Sequence, residues 1–269
     1  MRCAACKSSS LSRFRPFTTL IQRRGHASHR DVTYKQTPYE KRENVSDKKY
    51  GHFDIGGRVF VVTGGGQGLG FSIAEGLVEA GGTVHVIDVS PEPTKEFEEA
   101  RSRVKEEFNG DLWYHQADVS DEHALGEIIP RIAARKKRLD GLVAAAAIQQ
   151  VTKAIDYKQA DIAKMMSVNY NGVFLTAQAC AREMLKYKIQ DGSGGIRVNT
   201  LSPGHIVTPM VEENFRRGEA IRSEWEDNNM LGRVSMPEEY KSVALFMLSK
   251  ASSYMTGHDL RIDGGTTAW

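Results

Sequence analysis

The chain has 269 residues, 40% of them hydrophobic, which is enough for one sizeable core and fits a single α/β domain with appendages. Its longest unbroken apolar run is "LVAAAAI" (Leu142 to Ile148), whereas a membrane-crossing helix needs about 20 apolar residues, so a spanning helix is excluded and no membrane partner is expected. The net charge is +2, yet residues 1–30 hold seven Lys or Arg and no acid, leaving 29 bases against 34 acids elsewhere. A mildly acidic domain speaks against nucleic acid as a partner.

The first 30 residues are Arg-rich, Ser-rich and free of acids, and they lack the apolar centre of a secretory signal. That composition predicts a mitochondrial transit peptide, removed near "RRGHAS", and places the mature protein in the matrix. A basic tail on a cytoplasmic protein is the alternative. Cys3 and Cys6 form a lone C-x-x-C inside this leader, without a second ligand pair, and no metal site is expected. Residues 31–52 are polar and without apolar periodicity, and read as a linker.

The domain spans 53–269. Short apolar runs alternate with helical patterns: "RVFVVTG", "LGFSIAEGLVEAG", "TVHVIDV", "PTKEFEEARSRVKEEF", "WYHQADV", "EHALGEIIPRIAARKK" and "GLVAAAAI". This βαβαβαβ order predicts a doubly wound parallel sheet of the Rossmann-like α/β class. A long helix from Asp161 to about Lys188 follows, then the strand "IRVNTLS", a polar loop, the helix "PEEYKSVALFMLSK" and a last strand "DLRIDGG". Cys180, in "TAQACAREML", reads as a helix-packing residue rather than a nucleophile.

"VFVVTGGGQGLG" places Gly64, Gly68 and Gly70 where a strand ends and a helix opens. Glycine suits that place because the turn is tight and the backbone must approach a pyrophosphate, which then meets the free N–H groups of the helix. Asp88 ends the next strand, where a carboxylate accepts the adenosine-ribose hydroxyls and repels a 2′-phosphate. Gln67 brings no cation to neutralise such a phosphate. The cofactor expected is NAD(H) in preference to NADP(H).

"TGGGQGLG", beginning at Thr63, resembles the T-G-x-x-x-G-x-G fingerprint of the short-chain dehydrogenase/reductase family. "ADV" (Ala117 to Val119), "SVNYNGVF" and "RVNTLSPGHIVTPM" resemble its adenine-contacting segment, its Asn-bearing helix and its nicotinamide loop. The C-terminal stretch is similar to fungal polyol dehydrogenases and reductases of the arabinitol and sorbose kind. The resemblance implies that Leu69 donates its backbone N–H to the pyrophosphate and that Asp118 positions the adenine. It also implies that Ile206 and Thr208 hold the nicotinamide amide, and that Asn169 anchors a relay water. For Asn169 a side-chain bond to the backbone is the alternative. The implied substrate is a small alcohol or ketone, a sugar alcohol by the finer resemblance, and homo- or hetero-oligomers are compatible with it.

Two departures from the family stand out. "AAAA" (Ala144 to Ala147) replaces its usual Asn-Asn-Ala-Gly. Its Ser and Tyr-x-x-x-Lys, on a strand and helix that should precede "IRVNTLS", have no counterpart, since no tyrosine is followed four residues later by lysine. Only seven residues, "IQDGSGG", separate Lys188 from the next strand. A strand-helix unit of roughly 40 residues is therefore expected to be missing. Ser193 reads as a turn residue, and His205 as a loop histidine. With one unit absent, direct pairing of "IRVNTLS" with "GLVAAAAI" into a single six-stranded sheet is favoured, because a gap leaves unpaired backbone groups. Three readings of function stay open: an enzyme whose full-length form restores the unit, a non-catalytic NAD(H)-binding protein, and a truncated product.

Overall fold

The computed structural model describes residues 50–108, 110–187 and 195–268, all of them within one compact unit, Arg42–Trp269. The expected leader, most of the expected linker, and Ser193 lie outside the described residues.

Four strands form a parallel sheet: β1 (Val59–Thr63), β2 (Thr83–Asp88), β3 (Asp111–Gln116) and β4 (Gly141–Ala144), in the order β3-β2-β1-β4. Three helices make the crossovers: α1 (Gly68–Glu79), α2 (Lys95–Phe108) and α3 (Glu122–Lys136). All of β1 and the first five residues of β2 are buried, as expected for central strands covered on both faces. Alternate side chains serve opposite faces. Phe60 and Val62 join Ile73, Leu77 and Phe97 in one core cluster, while Val59 and Val61 join Leu125, Ile129 and Ile132 in the other. Asp121 caps α3, its side chain accepting from Ala124 N at 3.1 Å, and Lys137 ends that helix in the left-handed region at φ 53°.

The single long helix expected after β4 is divided. Helix α4 (Gln159–Met166) runs into a π-helical turn (Ser167–Gly172) and then α5 (Val173–Lys186). Gly172 lies so close to Val119 that a Cβ built on it would stand 2.6 Å from Val119 Cγ2. This close approach sets the turn against the loop after β3, while Thr176 Oγ1–H donates to Gly172 O at 2.7 Å within the helix itself.

The remaining strands, β5 (Thr200–Pro203) and β6 (Asp259–Ile262), pair in parallel as a separate two-stranded sheet. Between them lie α6 (Pro209–Arg216), α7 (Arg222–Asp227) and α8 (Lys241–Leu248). The expected six-stranded sheet is not formed, because no ladder joins β4 to β5. The reason lies in how β5 is anchored. Arg197, just before it, donates to the carbonyls of Met247, Ser249, Ser252 and Met255 at 2.8 to 3.3 Å, and so ties β5 to the end of α8. Helix α8 is in turn fixed to α1, with Lys241 Nζ 2.6 Å from Glu75 and Tyr240 fully buried, its hydroxyl donating to Ile262 O at 3.1 Å. Moving β5 to β4 would tear this block from α1. The gap leaves an edge of β4 and an edge of β5 without a ladder partner among the described residues.

Candidate functional site: the glycine-rich turn and the loop after β5

The turn between β1 and α1 is shaped by close backbone approaches. Gly64 adopts φ +64° and donates to Ile87 O at 2.9 Å. A Cβ on Gly70 would stand 2.2 Å from Gly64 O, so only glycine lets the helix start fold back on the turn. Gln67 is the N-cap of α1 and makes no side-chain cap bond. The first N–H groups of the helix, Leu69 among them, thus receive no cap from that side chain and sit where an anion is favoured. Thr63, at the end of β1, accepts from Ala146 N at 3.3 Å through Oγ1, and Thr63 O from Ala145 N at 3.2 Å. These bonds hold the "AAAA" segment beside the turn by its backbone, although it offers only methyl side chains.

Asp88 reaches the same turn from the end of β2. Its Oδ2 accepts from Gly66 N at 2.9 Å and its Oδ1 from Ser90 N at 3.1 Å. A Cβ on Gly66 would lie 2.8 Å from Asp88 Oδ2. Two further contacts were invisible in the sequence: Thr94 Oγ1–H donates to Gly66 O at 3.4 Å, and the Tyr114 hydroxyl to Ser90 O at 2.8 Å. Burial, and secondarily the Asp88 charge, push the Tyr114 phenol above its usual range, so it stays a neutral donor. Asp118, beyond β3, accepts from Ser120 N at 2.8 Å and from Ser120 Oγ at 2.7 Å.

The loop after β5 comes to this turn from the other side. A Cβ on Gly68 would stand 3.6 Å from Thr208 Cβ, so two positions 140 residues apart in the chain face one another. Thr208 caps α6, accepting from Val211 N at 3.4 Å. Ile206 is buried and bridges to Ser235, whose hydroxyl also bonds His205 O. His205 stacks on Trp225 with ring centres 3.9 Å apart, and burial lowers its pKa.

Asn169 sits in the π-helical turn with both ends of its amide bonded to one residue: Oδ1 accepts from Ile148 N and Nδ2 donates to Ile148 O, each at 2.9 Å. Its side chain is thus bonded to backbone. Cys180 is buried in the second core cluster, and burial drives its thiol up to about 12, so it does not ionise near neutrality. Among the described residues no group of three His, Cys, Asp or Glu could hold a metal ion. No helix among them is long and apolar enough to cross a membrane.

The cradle fits a dinucleotide: glycines stand where side chains would collide, uncapped N–H groups open the helix, and a carboxylate ends the neighbouring strand. Comparison with known proteins agrees. The short chain dehydrogenase family model matches residues 58–194, half of the chain. The chain belongs to the short-chain dehydrogenase family. A second model, described as enoyl-(acyl carrier protein) reductase, matches 189–267. Galactitol 2-dehydrogenase of Rhizobium johnstonii is 31% identical, over 81% of this chain and 98% of the relative. D-arabinitol 2-dehydrogenase (ribulose-forming) of Candida albicans is 26% identical, over 81% and 95%. Among solved structures, a 3-oxoacyl (acyl-carrier-protein) reductase from Agrobacterium tumefaciens with NADP bound superposes with a TM-score of 0.69 at 25% identity, over 81% of this chain and 98% of that one. The family places the chain among oxidoreductases.

Proposed function

We propose that this chain is an NAD(H)-binding short-chain dehydrogenase of alcohol/ketone chemistry, with a sugar alcohol as its substrate class, and that its turnover is impaired because the proton-transfer half of the site is absent. The observation that carries the proposal is the lack of any Tyr-x-x-x-Lys pair in the sequence. In such a pair the ammonium, one helix turn from the phenol, lowers the phenol pKa so that it can take the alcohol proton. A bound nicotinamide would supply hydride transfer. The residues of this chain bind and orient it: Gly64, Gly68, Leu69 and Gly70 around the pyrophosphate, Thr63 beneath the turn, and Asp88 on the ribose. Asp118 takes the adenine end, and Ile206 and Thr208 the nicotinamide end. None of them is placed to hold the leaving proton. Loss of a general acid-base lowers rate by about 10² to 10⁴.

Three facts support a missing unit. The alignment to galactitol 2-dehydrogenase runs over 257 positions but takes in 81% of 269 residues, about 218, so about 40 positions of the relative face no residue here. One family model gives way to the other within residues 189–194. The two sheets part between β4 and β5, on either side of that junction. The same facts favour a second reading, in which a full-length form of the protein carries the unit and is fully active. Sequencing the transcript across the codons for Gly192 to Arg197 separates the two.

The placement of Asp88 supports NAD(H), although a structurally similar reductase is one with NADP bound. The defining experiment is paired: calorimetry with NADH, and NAD reduction with galactitol or D-arabinitol at neutral and alkaline pH. Binding with no more than trace turnover is the expected result. Turnover within tenfold of an intact relative would mean that another group acts as base.

A further inference from the structure

Where the two sheets part, the structure holds a cleft of about 1330 Å³. One wall is the outer edge of β4 with Val173 and Phe174 of α5, and the other is residues 195–203, leading through β5, with Leu248 of α8. Among the described residues β4 is paired with β1 alone, and β5 with β6 alone. Two strand edges with unpaired N–H and C=O groups therefore border one cleft. Large apolar side chains stand exposed beside them: Val198 is 71% exposed and Phe174 63%.

The charge along the cleft is one-sided. Among the described residues, six cations line it (Arg58, Lys136, Lys137, Arg138, Arg197 and Lys250) against one carboxylate, Asp140. Arg138 neutralises Asp140 through two bonds of 2.6 and 2.8 Å, and Lys136 is 3.5 Å from Asp111. Arg58, Lys137 and Lys250 have no carboxylate partner among the described residues. In the chain all six precede strands: Arg58 precedes β1, Lys136 to Arg138 precede β4, Arg197 precedes β5, and Lys250 precedes β6. The C-terminal ends, at Ala144, Ala145 and Pro203, carry no charge. Positive charge thus gathers at the N-terminal ends of the strands.

We infer that this cleft is an acceptor for an extended segment of another polypeptide, which adds as a strand parallel to β4 with acidic residues at its own N-terminal end. Only an extended backbone supplies donors and acceptors at strand spacing, about 4.8 Å, to an edge on each side. Alternate apolar side chains of that segment would cover the exposed residues of α5 and of the chain before β5. Its acids would meet Arg58, Lys137 and Lys250. The inference stands on the two edges and the charge, and does not depend on cofactor binding or activity.

The test is fluorescence anisotropy on the whole protein with a labelled peptide of about ten residues, two N-terminal acids followed by alternating valine and threonine. Two controls carry the same composition with the acids moved to the C-terminus, or with proline at the centre. The parent peptide is expected to bind saturably, at least tenfold tighter than either control, and more weakly as salt rises. The charge-reversal variant Lys137→Glu/Lys250→Glu, at one exposed and one half-buried lysine, should bind it about tenfold more weakly and should prefer a peptide headed by lysines. Equal binding of the proline peptide, indifference to the charge swap, or no saturable binding would each overturn the inference. So would a dimer in sedimentation that the peptide dissociates, since a second copy would then be the occupant.

Discussion

Asp88 Oδ2 accepts a hydrogen bond from Gly66 N at 2.9 Å, so the carboxylate that ends β2 is held against the glycine-rich turn before any ligand arrives. The second oxygen is held by Ser90 N at 3.1 Å. Replacing Asp88 with alanine removes a charged acceptor, for which about 1.5 to 3 kcal/mol is usual. Asp88→Ala is expected to weaken NADH binding about tenfold or more, and NADPH binding by less, because the 2′-phosphate no longer meets a carboxylate. Calorimetry with both cofactors checks this. An equal loss for the two, or no loss, would remove Asp88 from the cofactor site.

Two glycines in helices should respond oppositely to alanine. At Gly70 the new Cβ would stand 2.2 Å from Gly64 O, and the turn has no flexible side chain there to give way. Gly70→Ala is expected to destabilise the fold by about 3 kcal/mol, in the range of overpacked sites, and to abolish NADH binding. At Gly126, exposed within α3, nothing lies within 4 Å of the new Cβ. Gly126→Ala should stabilise by about 0.5 to 1 kcal/mol by restricting the unfolded chain. Urea denaturation of the two variants beside the parent reads both signs.

The first half of the fold could be read from the sequence because its signals are local. A continuous apolar run gave β1, glycines followed by a helical pattern gave the turn and α1, and Asp88 falls at the end of β2 as its run predicts. The rest depends on contacts between distant residues. Whether β5 joins β4 is decided by Arg197 gripping carbonyls 50 to 58 residues further on, which no local pattern displays. The long amphipathic pattern after β4 is helical throughout, yet the π turn within it follows from Asn169 and Gly172 meeting Ile148 and Val119. The support that Ser90, Thr94 and Tyr114 lend to the Asp88 region arises from the loop between β2 and α2 and from β3, and their residue types carry no chemical signature.

Asn169 makes two hydrogen bonds to Ile148 and so ties the π turn to the loop after β4. Asn169→Ala should lower stability by about 1 to 2 kcal/mol, since both bonds go and the site is exposed enough for water to take their place. Thermal denaturation gives the magnitude. Amide exchange should show faster exchange at Ile148, with the amides of β1 unaffected. Unchanged protection at Ile148 would mean that the turn is held without Asn169.

The last prediction concerns acid. His85 and His115, on neighbouring strands, share a ring contact of 2.9 Å between Nδ1 and Nε2, and His85 also stacks near Trp113. Burial, with His115, Arg135 and Lys136 adding to it, depresses His85 to about 3; burial, with Arg135 and Arg131, depresses His115 to about 4. Both rings are therefore neutral in the fold across the range in which the unfolded chain, near 6.5, takes up protons. The unfolded state binds more protons between about pH 6.5 and the folded values, so stability is full above that window and falls as pH drops through it. Each histidine contributes a slope of at most about 1.4 kcal/mol per pH unit, and His115, being partly exposed, contributes less than His85. His85→Phe removes the larger contribution while keeping an apolar ring in the core. Its melting temperature should fall less steeply than the parent's between pH 6.5 and 4, whatever its value at pH 8. Parallel profiles for the two proteins would show that the pair does not set the acid limb.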